Sequence, residues 1–595
     1  MKTIQQLHEF IINTNTAILL SNVTEKQISQ TLKPLSIYFL SNFTINPIEP
    51  ILKLYLHESN IAPNLTFGQY DNAMQEVLDE FSILRTQLFD IVVCANYYDP
   101  LDPAFLNRLN STESFILELK NLFDLVQENT QSLVLINTFI LPSVSESGIT
   151  SVKNPTRIDA ILEINRFIRN YTKQHADRCF LLDWTRYCQL LGENESIDYR
   201  YRYIYKAPFK KAFLSYYAAD IAKIARALKG YAKKCLILDC DNTLWGGIVG
   251  EEGSTGIKLD NHDYPGKIFY DFQNTVLELS KRGVILALCS KNNAEDVWEV
   301  FDSHPYSLLH KDHFAAAKIN WLSKADNIID LIQELNIGVE SCVFLDDSPT
   351  ECELVKLALP DITVVQVPNP IYEYPSLLLK EGLFDTLTIN KEDSARNLQY
   401  QQESERKEIL KKSQNITEYL TSLELVATIH FVKENEFSRI AQLTQKTNQF
   451  NLSTRRYTEP QIKNFHQSDD SVVFSLSVKD KFGDYGLTGV LIAKRAHDNN
   501  TIGIIDTFLV SCRILSRNLE HVFLETCLKQ LSQYWSVNQW QAEYIRSDKN
   551  KQIEDFLIKS KFNTIDNQIY FLNMKEWDGF NINYITLIEE GLEYA

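Results

Sequence analysis

The stretch CLILDCDNTLWGG, which begins at Cys235, contains two residues suited to chemistry on phosphorus, Asp239 and Asp241. The apolar run before them favours a buried strand of a parallel sheet, and ligands of such sheets bind at the carboxyl ends of the strands. There Asp239 can act as a nucleophile toward phosphorus, and Asp241 can act as general acid and base. Paired carboxylates also favour Mg²⁺, which prefers oxygen ligands. The stretch therefore predicts metal-assisted phosphoryl transfer.

Three later segments place complementary side chains at the predicted ends of other elements. Ser290 follows the run VILALC, where its hydroxyl can hold phosphate oxygens, and Lys324 in INWLSKADN supplies a positive charge for the transferring group. A second acidic pair ends the run CVFLDD and can complete the metal site. We therefore expect a Mg²⁺ site formed by Asp239, Asp241, Asp346 and Asp347.

A DxD pair alone recurs by chance or within turns, so the pair by itself leaves a purely structural interpretation open. The ordered set of four segments resembles the haloacid dehalogenase (HAD) superfamily of phosphotransferases, whose motifs are DxDx(T), a strand-ending Ser or Thr, a Lys and an acidic pair. The resemblance implies Asp239 as the nucleophile, Asp241 as the acid/base and Asp346 as a metal ligand that Asp347 supports. It also implies the phosphate-binding residues Thr243, Ser290 and Lys324.

The elements that must position these residues suggest three domains. Residues 1–225 and 230–385 each alternate buried apolar runs with helical patterns, which predicts parallel sheets with helices on both faces. A Lys/Glu-rich stretch, 386–412, is typical of a solvated helical connector. Residues 413–595 carry several antiparallel-looking strands and a long helix, an α+β pattern. The expected fold class is an α/β protein with a HAD-type, Rossmann-like parallel sheet between an α/β and an α+β domain.

Composition limits the function classes. The net charge of −18 over 595 residues argues against nucleic acid or an anionic membrane as the main partner. No apolar run is long enough to span a bilayer, and the N-terminal stretch has no signal-peptide core. The ten cysteines form no CxxC pair, so reduced thiols are expected rather than disulfides or a zinc site. These features together predict a cytoplasmic protein.

Longer runs carry a closer resemblance. DNTLWGGIVGEEG, SKN, RIAQLTQKTNQFNLSTRRYT, FGDYGLTG and FLVSCRILSRNLE together resemble the FkbH-like proteins (HAD subfamily IIIC), from about residue 35 to near the C-terminus. In that family a HAD domain precedes an acetyltransferase-like (GNAT) domain. The resemblance implies removal of phosphate from a phosphorylated three-carbon acid and transfer of the glyceryl unit to an acyl carrier protein in trans, in polyketide-type metabolism.

Cys512 is the candidate carrier of that acyl unit. A helical stripe of apolar residues predicts a helix that begins directly after Cys512, and a thiol there beside Arg513 should ionise readily. The alternative is a packed core cysteine. The following RILSRN has Ser516 and Asn518 where a GNAT pyrophosphate turn has glycines, which disfavours CoA binding. The neighbouring TRRY arginines, Arg455 and Arg456, are either solvated or meet a phosphopantetheine phosphate.

The N-terminal domain resembles the SGNH-hydrolase-like unit found before HAD domains in longer members. YFLSNFT places Ser41 where the nucleophile strand should be, but Arg186 stands where the catalytic histidine is expected after Asp183. Without a histidine base, Ser41 should remain an unactivated alcohol. The domain is therefore expected to be a catalytically degenerate scaffold.

Two other functions remain open at this stage. One is a stand-alone HAD phosphatase that acts on a sugar or polysaccharide-precursor phosphate, with a purely structural third domain. The other is a CoA-dependent N-acyltransferase in which the HAD domain is secondary. No serine-centred carrier motif occurs in the sequence, so a carrier protein would have to act in trans.

Overall fold

The computed structural model describes most of the chain. Its described residues are 4–14, 32–98, 112–143, 156–389, 402, 406, 415–496, 499–547, 549–564, 568–580 and 582–591. The chain divides into two compact units, Met1–Lys229 and Gly230–Ala595. The domain boundaries expected from the sequence stay predictions, and the predicted connector 386–412 lies almost wholly outside the described residues.

The first unit is built around a five-stranded parallel sheet with strand order β2-β1-β3-β4-β5. β3 and β4 are buried along their whole length, as expected for strands covered by helices on both faces. The strands are β1 Lys33–Ser41, β2 Ile61–Phe67, β3 Ile91–Ala95, β4 Leu133–Asn137 and β5 Cys179–Leu182. The α-helices are Ile4–Asn13, Glu49–Glu58, Ala73–Leu78, Ile83–Thr86, Thr112–Asn129, Arg157–Gln174, Trp184–Leu191, Glu193–Ser196, Tyr199–Tyr205 and Lys211–Leu228.

The second unit contains another five-stranded parallel sheet, with strand order β10-β9-β6-β7-β8. Along its central strand, Leu236 and Leu238 join one hydrophobic cluster while Cys235 and Ile237 join a second. Because successive side chains of a strand point to opposite faces, both faces of this sheet are buried. The strands are β6 Cys235–Leu238, β7 Ile285–Ser290, β8 Ala316–Ile319, β9 Cys342–Asp346 and β10 Thr363–Gln366. The α-helices are Val249–Glu252, Gly266–Lys281, Ala294–Ser303, Lys324–Leu335, Pro349–Ala358 and Leu377–Glu381.

The same unit contains an eight-stranded mixed sheet, with strand order β16-β17-β15-β14-β13-β12-β11-β18. Its long antiparallel strands pack against the helix Leu519–Trp535 through a large apolar cluster. The strands are β11 Leu425–Phe431, β12 Ser471–Asp480, β13 Gly483–Ala496, β14 Asn499–Val510, β15 Gln539–Glu543, β16 Asn563–Thr564, β17 Ile569–Asn573 and β18 Ile585–Glu590. The α-helices are Ile416–Ser422, Phe437–Lys446, Glu459–Gln467, Leu519–Trp535 and Phe556–Lys559.

The architecture confirms the expected fold class, in which parallel α/β sheets precede an α+β sheet. The alternation of apolar runs and helices was a reliable guide, because strands buried on both faces have continuous apolar sequences. Among the described residues, none of the helices combines the length and the hydropathy that crossing a membrane requires.

Candidate active site

The parallel sheet of the second unit brings four of the predicted residues to one edge. Asp239 directly follows β6, Ser290 ends β7 and Asp346 ends β9. These ends are neighbours, because β6 pairs with both β7 and β9. Lys324 is the first residue of the helix that follows β8. The local cause is that each apolar strand stops where polar residues begin, at the carboxyl edge where such sheets bind ligands.

Three carboxylates converge at this edge, and two of them pair with one ammonium group. One oxygen each of Asp239, Asp346 and Asp347 lies within 4.8 Å of the others. Lys324 Nζ lies 3.0 Å from Asp239 Oδ1 and 2.5 Å from Asp346 Oδ2. Two negative charges are thus left in excess, in a site where three of the four residues are buried. A divalent cation that prefers carboxylate oxygens matches both this charge and this donor set, so the residues present fit Mg²⁺.

Burial dominates the ionisation of this cluster. It raises the pKa of Asp239 to about 6; Lys324 opposes the shift and Asp346 adds to it. Burial and the neighbouring Asp346 also raise the pKa of Asp347. The pKa of Lys324 is raised, because the two aspartates outweigh the effect of its burial. A buried carboxylate is costly without enough positive charge nearby, so the cluster favours a further cation.

Asp241 belongs to the same edge but is held by a different set of contacts. Its Oδ1 accepts hydrogen bonds from Trp245 Nε1 at 2.8 Å and from the Val249 amide at 3.0 Å. Its Oδ2 accepts one from Asn292 Nδ2 at 2.9 Å. The structure therefore does not include the Asp241 carboxylate among the three that converge near Lys324. Its predicted part in the metal site stays a prediction, whereas its contacts fix it beside the segment that contains Trp245 and Val249.

The predicted phosphate-binding hydroxyls have different surroundings. Ser290 is buried, and its hydroxyl donates a hydrogen bond to Asp239 and accepts one from Asn292 Nδ2 at 3.2 Å. Thr243 is completely buried, and its Oγ1 has no hydrogen-bond partner in the part of the chain that the structure describes. Asn292 was not singled out from the sequence, although it lies in the SKN motif. It is the residue that connects Ser290 to Asp241.

Cys512 lies outside the parallel sheet that carries the aspartates, in the segment before the helix Leu519–Trp535. It begins a single 3-10 turn, Cys512–Ile514, and the α-helix starts only at Leu519. The predicted helix start directly after Cys512 is therefore wrong. Ser516 and Asn518 adopt left-handed conformations with φ values of 65° and 60°, and left-handed residues cannot continue a right-handed helix. The thiol is half-buried and has no long helix beginning at it.

The two TRRY arginines are held within the protein. Arg455 Nη2 lies 2.6 Å from Glu543 Oε2, and its Nη1 donates to the carbonyl of Asp506 at 2.7 Å. Arg456 donates to the carbonyls of Thr444 and Thr447. Neither arginine is merely solvated, and their partners leave both poorly suited to a phosphopantetheine phosphate.

In the first unit, Ser41 ends β1 and is buried. Its hydroxyl donates to the Phe43 carbonyl at 2.8 Å and accepts from the Phe43 amide at 3.2 Å. Arg186, which stands where the histidine was expected, pairs with Asp220 at 2.5 Å. Within the described residues no hydrogen bond joins Ser41 to a histidine, so its hydroxyl serves the local turn.

Comparison with solved structures supports the HAD-type sheet. The chain is similar to the N-terminal part of a Bacteroides fragilis protein that contains a phosphatase domain and was solved in complex with Mg, with 24% identity and a TM-score of 0.55. The match covers 65% of this chain and 100% of that one, and it shows that the two share a fold, which agrees with the parallel α/β sheets expected from the sequence.

About a quarter of the chain also matches acetyltransferases. An acetyltransferase from Thermus thermophilus matches with 14% identity, 25% coverage of this chain, 99% coverage of its own and a TM-score of 0.20. A ribosomal-protein-S5-alanine acetyltransferase from Vibrio fischeri matches with 12% identity, 25% and 94% coverage and a TM-score of 0.20. No protein-family model and no curated protein matches the chain, so the FkbH-like and SGNH-like assignments stay predictions.

Proposed function

We propose that the second unit is a Mg²⁺-dependent phosphatase or phosphotransferase that acts on a phosphorylated small molecule. The observation that carries the proposal is the convergence of the Asp239, Asp346 and Asp347 carboxylates at the carboxyl edge of a parallel sheet, where Lys324 pairs with the first two. The structural neighbour that contains a phosphatase domain with Mg supports it. Bound there, Mg²⁺ would neutralise charge on the phosphoryl oxygens and orient the group.

The proposed reaction uses two carboxylates in different roles. A carboxylate oxygen of Asp239 attacks phosphorus, the bond from phosphorus to the leaving oxygen breaks, and an aspartyl-phosphate forms. Asp241 gives its proton to the leaving oxygen, and then takes a proton from the water that attacks phosphorus and frees Asp239. Oδ2 of Asp241 suits this transfer, because it accepts one hydrogen bond whereas Oδ1 accepts two.

Lys324 and Ser290 complete the arrangement in this proposal. The Lys324 ammonium keeps Asp239 in the ionised, nucleophilic form that burial disfavours, and it attracts the transferring phosphoryl group. The Ser290 hydroxyl donates a hydrogen bond to the Asp239 carboxylate, and it donates to a phosphate oxygen instead once the substrate is bound. Asn292 keeps Asp241 and Ser290 at a fixed separation through two hydrogen bonds from one amide nitrogen.

The finer part of the proposal concerns the acyl group. We propose that the substrate is a phosphorylated three-carbon acid whose carboxyl group is activated as an acyl phosphate. The Cys512 thiolate attacks the carbonyl carbon, the bond from that carbon to the phosphate oxygen breaks with release of phosphate, and the glyceryl thioester is then passed to the thiol of an acyl carrier protein in trans. Sequence resemblance supports this step, together with the partial exposure of the thiol. Stand-alone dephosphorylation of a sugar phosphate is the simpler alternative.

One observation favours a second candidate function, CoA-dependent acyl transfer. The turn before the helix Leu519–Trp535 contains Ser516 and Asn518 in left-handed conformations, which are the conformations that glycines supply in a pyrophosphate-binding turn. The missing glycines therefore do not abolish the backbone shape of this turn. Binding of acetyl-CoA, measured by calorimetry, separates this candidate from a carrier-dependent enzyme.

The test is phosphate release from a panel of phosphorylated three-carbon acids and sugar phosphates. Asp239→Asn should abolish release, and Asp241→Asn should slow it about 10²–10⁴-fold through loss of proton transfer. EDTA should silence the wild type and Mg²⁺ should restore it. Asp330→Asn, at an exposed carboxylate of the same unit, is the matched control. Turnover without any divalent metal would contradict the proposal.

The acyl step has its own readout. Intact-mass measurement after incubation with the phosphorylated acid should show a hydroxylamine-sensitive increment on the wild type and none on Cys512→Ala. Transfer to a carrier protein at the wild-type rate by Cys512→Ala would remove Cys512 from the mechanism without affecting the proposed phosphatase.

A further inference from the structure

A cavity of about 80 Å³ lies within the second unit, away from the aspartates. A bound water needs about 10–15 Å³ on this measure, so the cavity has room for several waters or for one small anion. Its walls include Lys234, Ile285 and Ser341 from the parallel sheet, together with Ser511 and Cys512 from the turn after β14.

The cavity lies at the edge of the sheet opposite to the candidate active site. Lys234 directly precedes β6, Ile285 begins β7 and Ser341 directly precedes β9. Asp239, in contrast, follows the other end of β6. With a rise of about 3.3 Å per residue, the length of β6 separates the two places by about 13 Å or more. The cavity is therefore not an extension of the aspartate cluster.

Positive charge predominates around this cavity. Four cationic residues line it, Lys234, Arg439, Lys446 and Arg513, together with one acidic residue, Glu340. Glu340 already pairs with Lys549, 3.0 Å from its Nζ. In a chain with a net charge of −18, a cavity lined by four cationic residues is a local departure from the general charge, and it suits an anionic ligand.

The Lys234 ammonium is held by a backbone carbonyl. Its Nζ donates to the Lys446 carbonyl at 2.5 Å, and among the described residues it forms no ion pair with a carboxylate. Burial lowers the pKa of Lys234 to about 8, although Cys512 and Glu340 oppose the shift. A ligand with negative charge would supply what this ammonium lacks.

Two polar groups beside Lys234 are also available to a ligand. The Cys512 thiol is half-buried on the wall of the same cavity. The side chain of Gln449 lines the cavity too, and its buried Oε1 has no hydrogen-bond partner in the described part of the chain. Such orphaned buried oxygens are rare, and they ordinarily mark a missing donor such as water or a ligand.

We propose that this cavity is a second ligand site, which takes the phosphate group of a small phosphorylated molecule beside Cys512, with Lys234 as its anchoring cation. The proposal deepens the proposed function, because it gives Cys512 a binding site of its own that does not share the aspartates. The cavity edge of the sheet would then hold the phosphate of a donor or carrier arm while its acyl group reaches the Cys512 thiol. The opposite, carboxyl edge would hold a phosphate that is to be removed.

The test is protection of Cys512 from alkylation by iodoacetamide, followed by peptide mass spectrometry. The protein is Asp239→Asn in EDTA, so the aspartate site contributes nothing, and the probes are inorganic phosphate and pyrophosphate. Both should slow alkylation of Cys512 in a saturable way. They should not slow alkylation of Cys188, the other half-buried cysteine, which lies in the first unit.

Lys234→Met should raise the phosphate concentration that gives half-maximal protection by about tenfold or more. The reason is that a hydrogen bond to a charged group changes the affinity of a ligand by about tenfold or more. Lys234→Gln, which keeps a donor for the Lys446 carbonyl, should show a similar loss. Lys318→Met, at a lysine of β8 that pairs with Glu334, is the matched control and should leave the half-protecting concentration unchanged.

Absence of protection in the parent protein overturns the proposal, whether or not the Lys234 variants fold. Equal protection in a folded Lys234→Met overturns it as well. Phosphate release by the wild type with Mg²⁺ is measured in parallel. If phosphate release is absent while the Lys234-dependent protection of Cys512 persists, the proposed phosphatase fails and the cavity site stands. If phosphate is released but Cys512 is not protected, only the cavity site is overturned.

Discussion

Replacing Asp239 by asparagine is expected to stabilise the metal-free protein while it abolishes phosphate release. Asp239 is buried, and that burial raises its pKa from the usual 3.8 to about 6. Between these two pH values the folded chain binds more protons at this carboxyl than the unfolded chain does. The free energy of unfolding therefore falls as the pH rises through that window, and it stays lower above it.

At pH 7 this difference costs the metal-free fold about 3 kcal/mol. Asparagine has nearly the same shape and no charge to bury, so Asp239→Asn should recover most of that amount. For a unit that spans Gly230–Ala595, about 3 kcal/mol corresponds to a rise of about 4 °C in Tm. Lys324 retains Asp346 as its partner at 2.5 Å, so the substitution leaves no unpaired ammonium.

The assay is calorimetric unfolding of both proteins in EDTA at pH 7 and at pH 3.5, with Asp330→Asn as the control. The difference in Tm should be large at pH 7 and small at pH 3.5, where Asp239 is protonated in the folded state and mostly protonated in the unfolded state. Mg²⁺ should raise the Tm of the wild type more than that of Asp239→Asn, because the variant has lost one ligand. A lower Tm for Asp239→Asn than for the wild type in EDTA at pH 7 would refute the reasoning.

Three further outcomes are expected. Lys324→Met leaves two buried carboxylates without their shared cation, so in EDTA the variant should lose about 3–5 kcal/mol of unfolding free energy. Mg²⁺ should raise the Tm of this variant more than it raises the Tm of the wild type. Equal Tm values of the two proteins in EDTA would contradict the prediction. Asn292→Ala removes the hydrogen bonds to Asp241 Oδ2 and Ser290, so kcat for phosphate release should fall about tenfold or more while the fold is retained, and an unchanged kcat would show that Asp241 needs no such support. Ser41→Ala should leave phosphate release and acyl transfer near wild type, and an esterase activity that disappears in this variant would prove the first unit catalytic.

The strands that carry the aspartates were predictable because their signal is local. Continuous apolar runs such as VILALC and CVFL describe strands buried on both faces, and polar residues directly after them lie at the carboxyl edge of the sheet. Strands with mixed sequences gave no such signal. β2 contains a proline and an asparagine, and β8 is the short AAKI, so neither was recognised from the sequence.

The region after Cys512 shows where local patterns mislead. The apolar stripe that predicted a helix from Arg513 onward is real, but it belongs to a helix that begins at Leu519. The left-handed conformations of Ser516 and Asn518 delay that start, and serine shows little intrinsic preference for this region. Tertiary contacts such as the hydrogen bond from Asn518 Nδ2 to Tyr584 at 2.6 Å accompany the turn.

The sequence by itself determined the apolar strands of the parallel sheets and the strand ends at which Asp239, Ser290 and Asp346 stand, because continuous apolar runs and polar strand ends are properties of neighbouring residues. Only the tertiary structure decided that Asp241 is held by Trp245 and Asn292 rather than among the converging carboxylates. It alone placed Lys234 and Cys512, which are far apart in the chain, on one cavity at the opposite edge of the sheet. Charges and hydrogen-bond partners across such separations depend on how the elements pack, and no local pattern in the sequence records that packing.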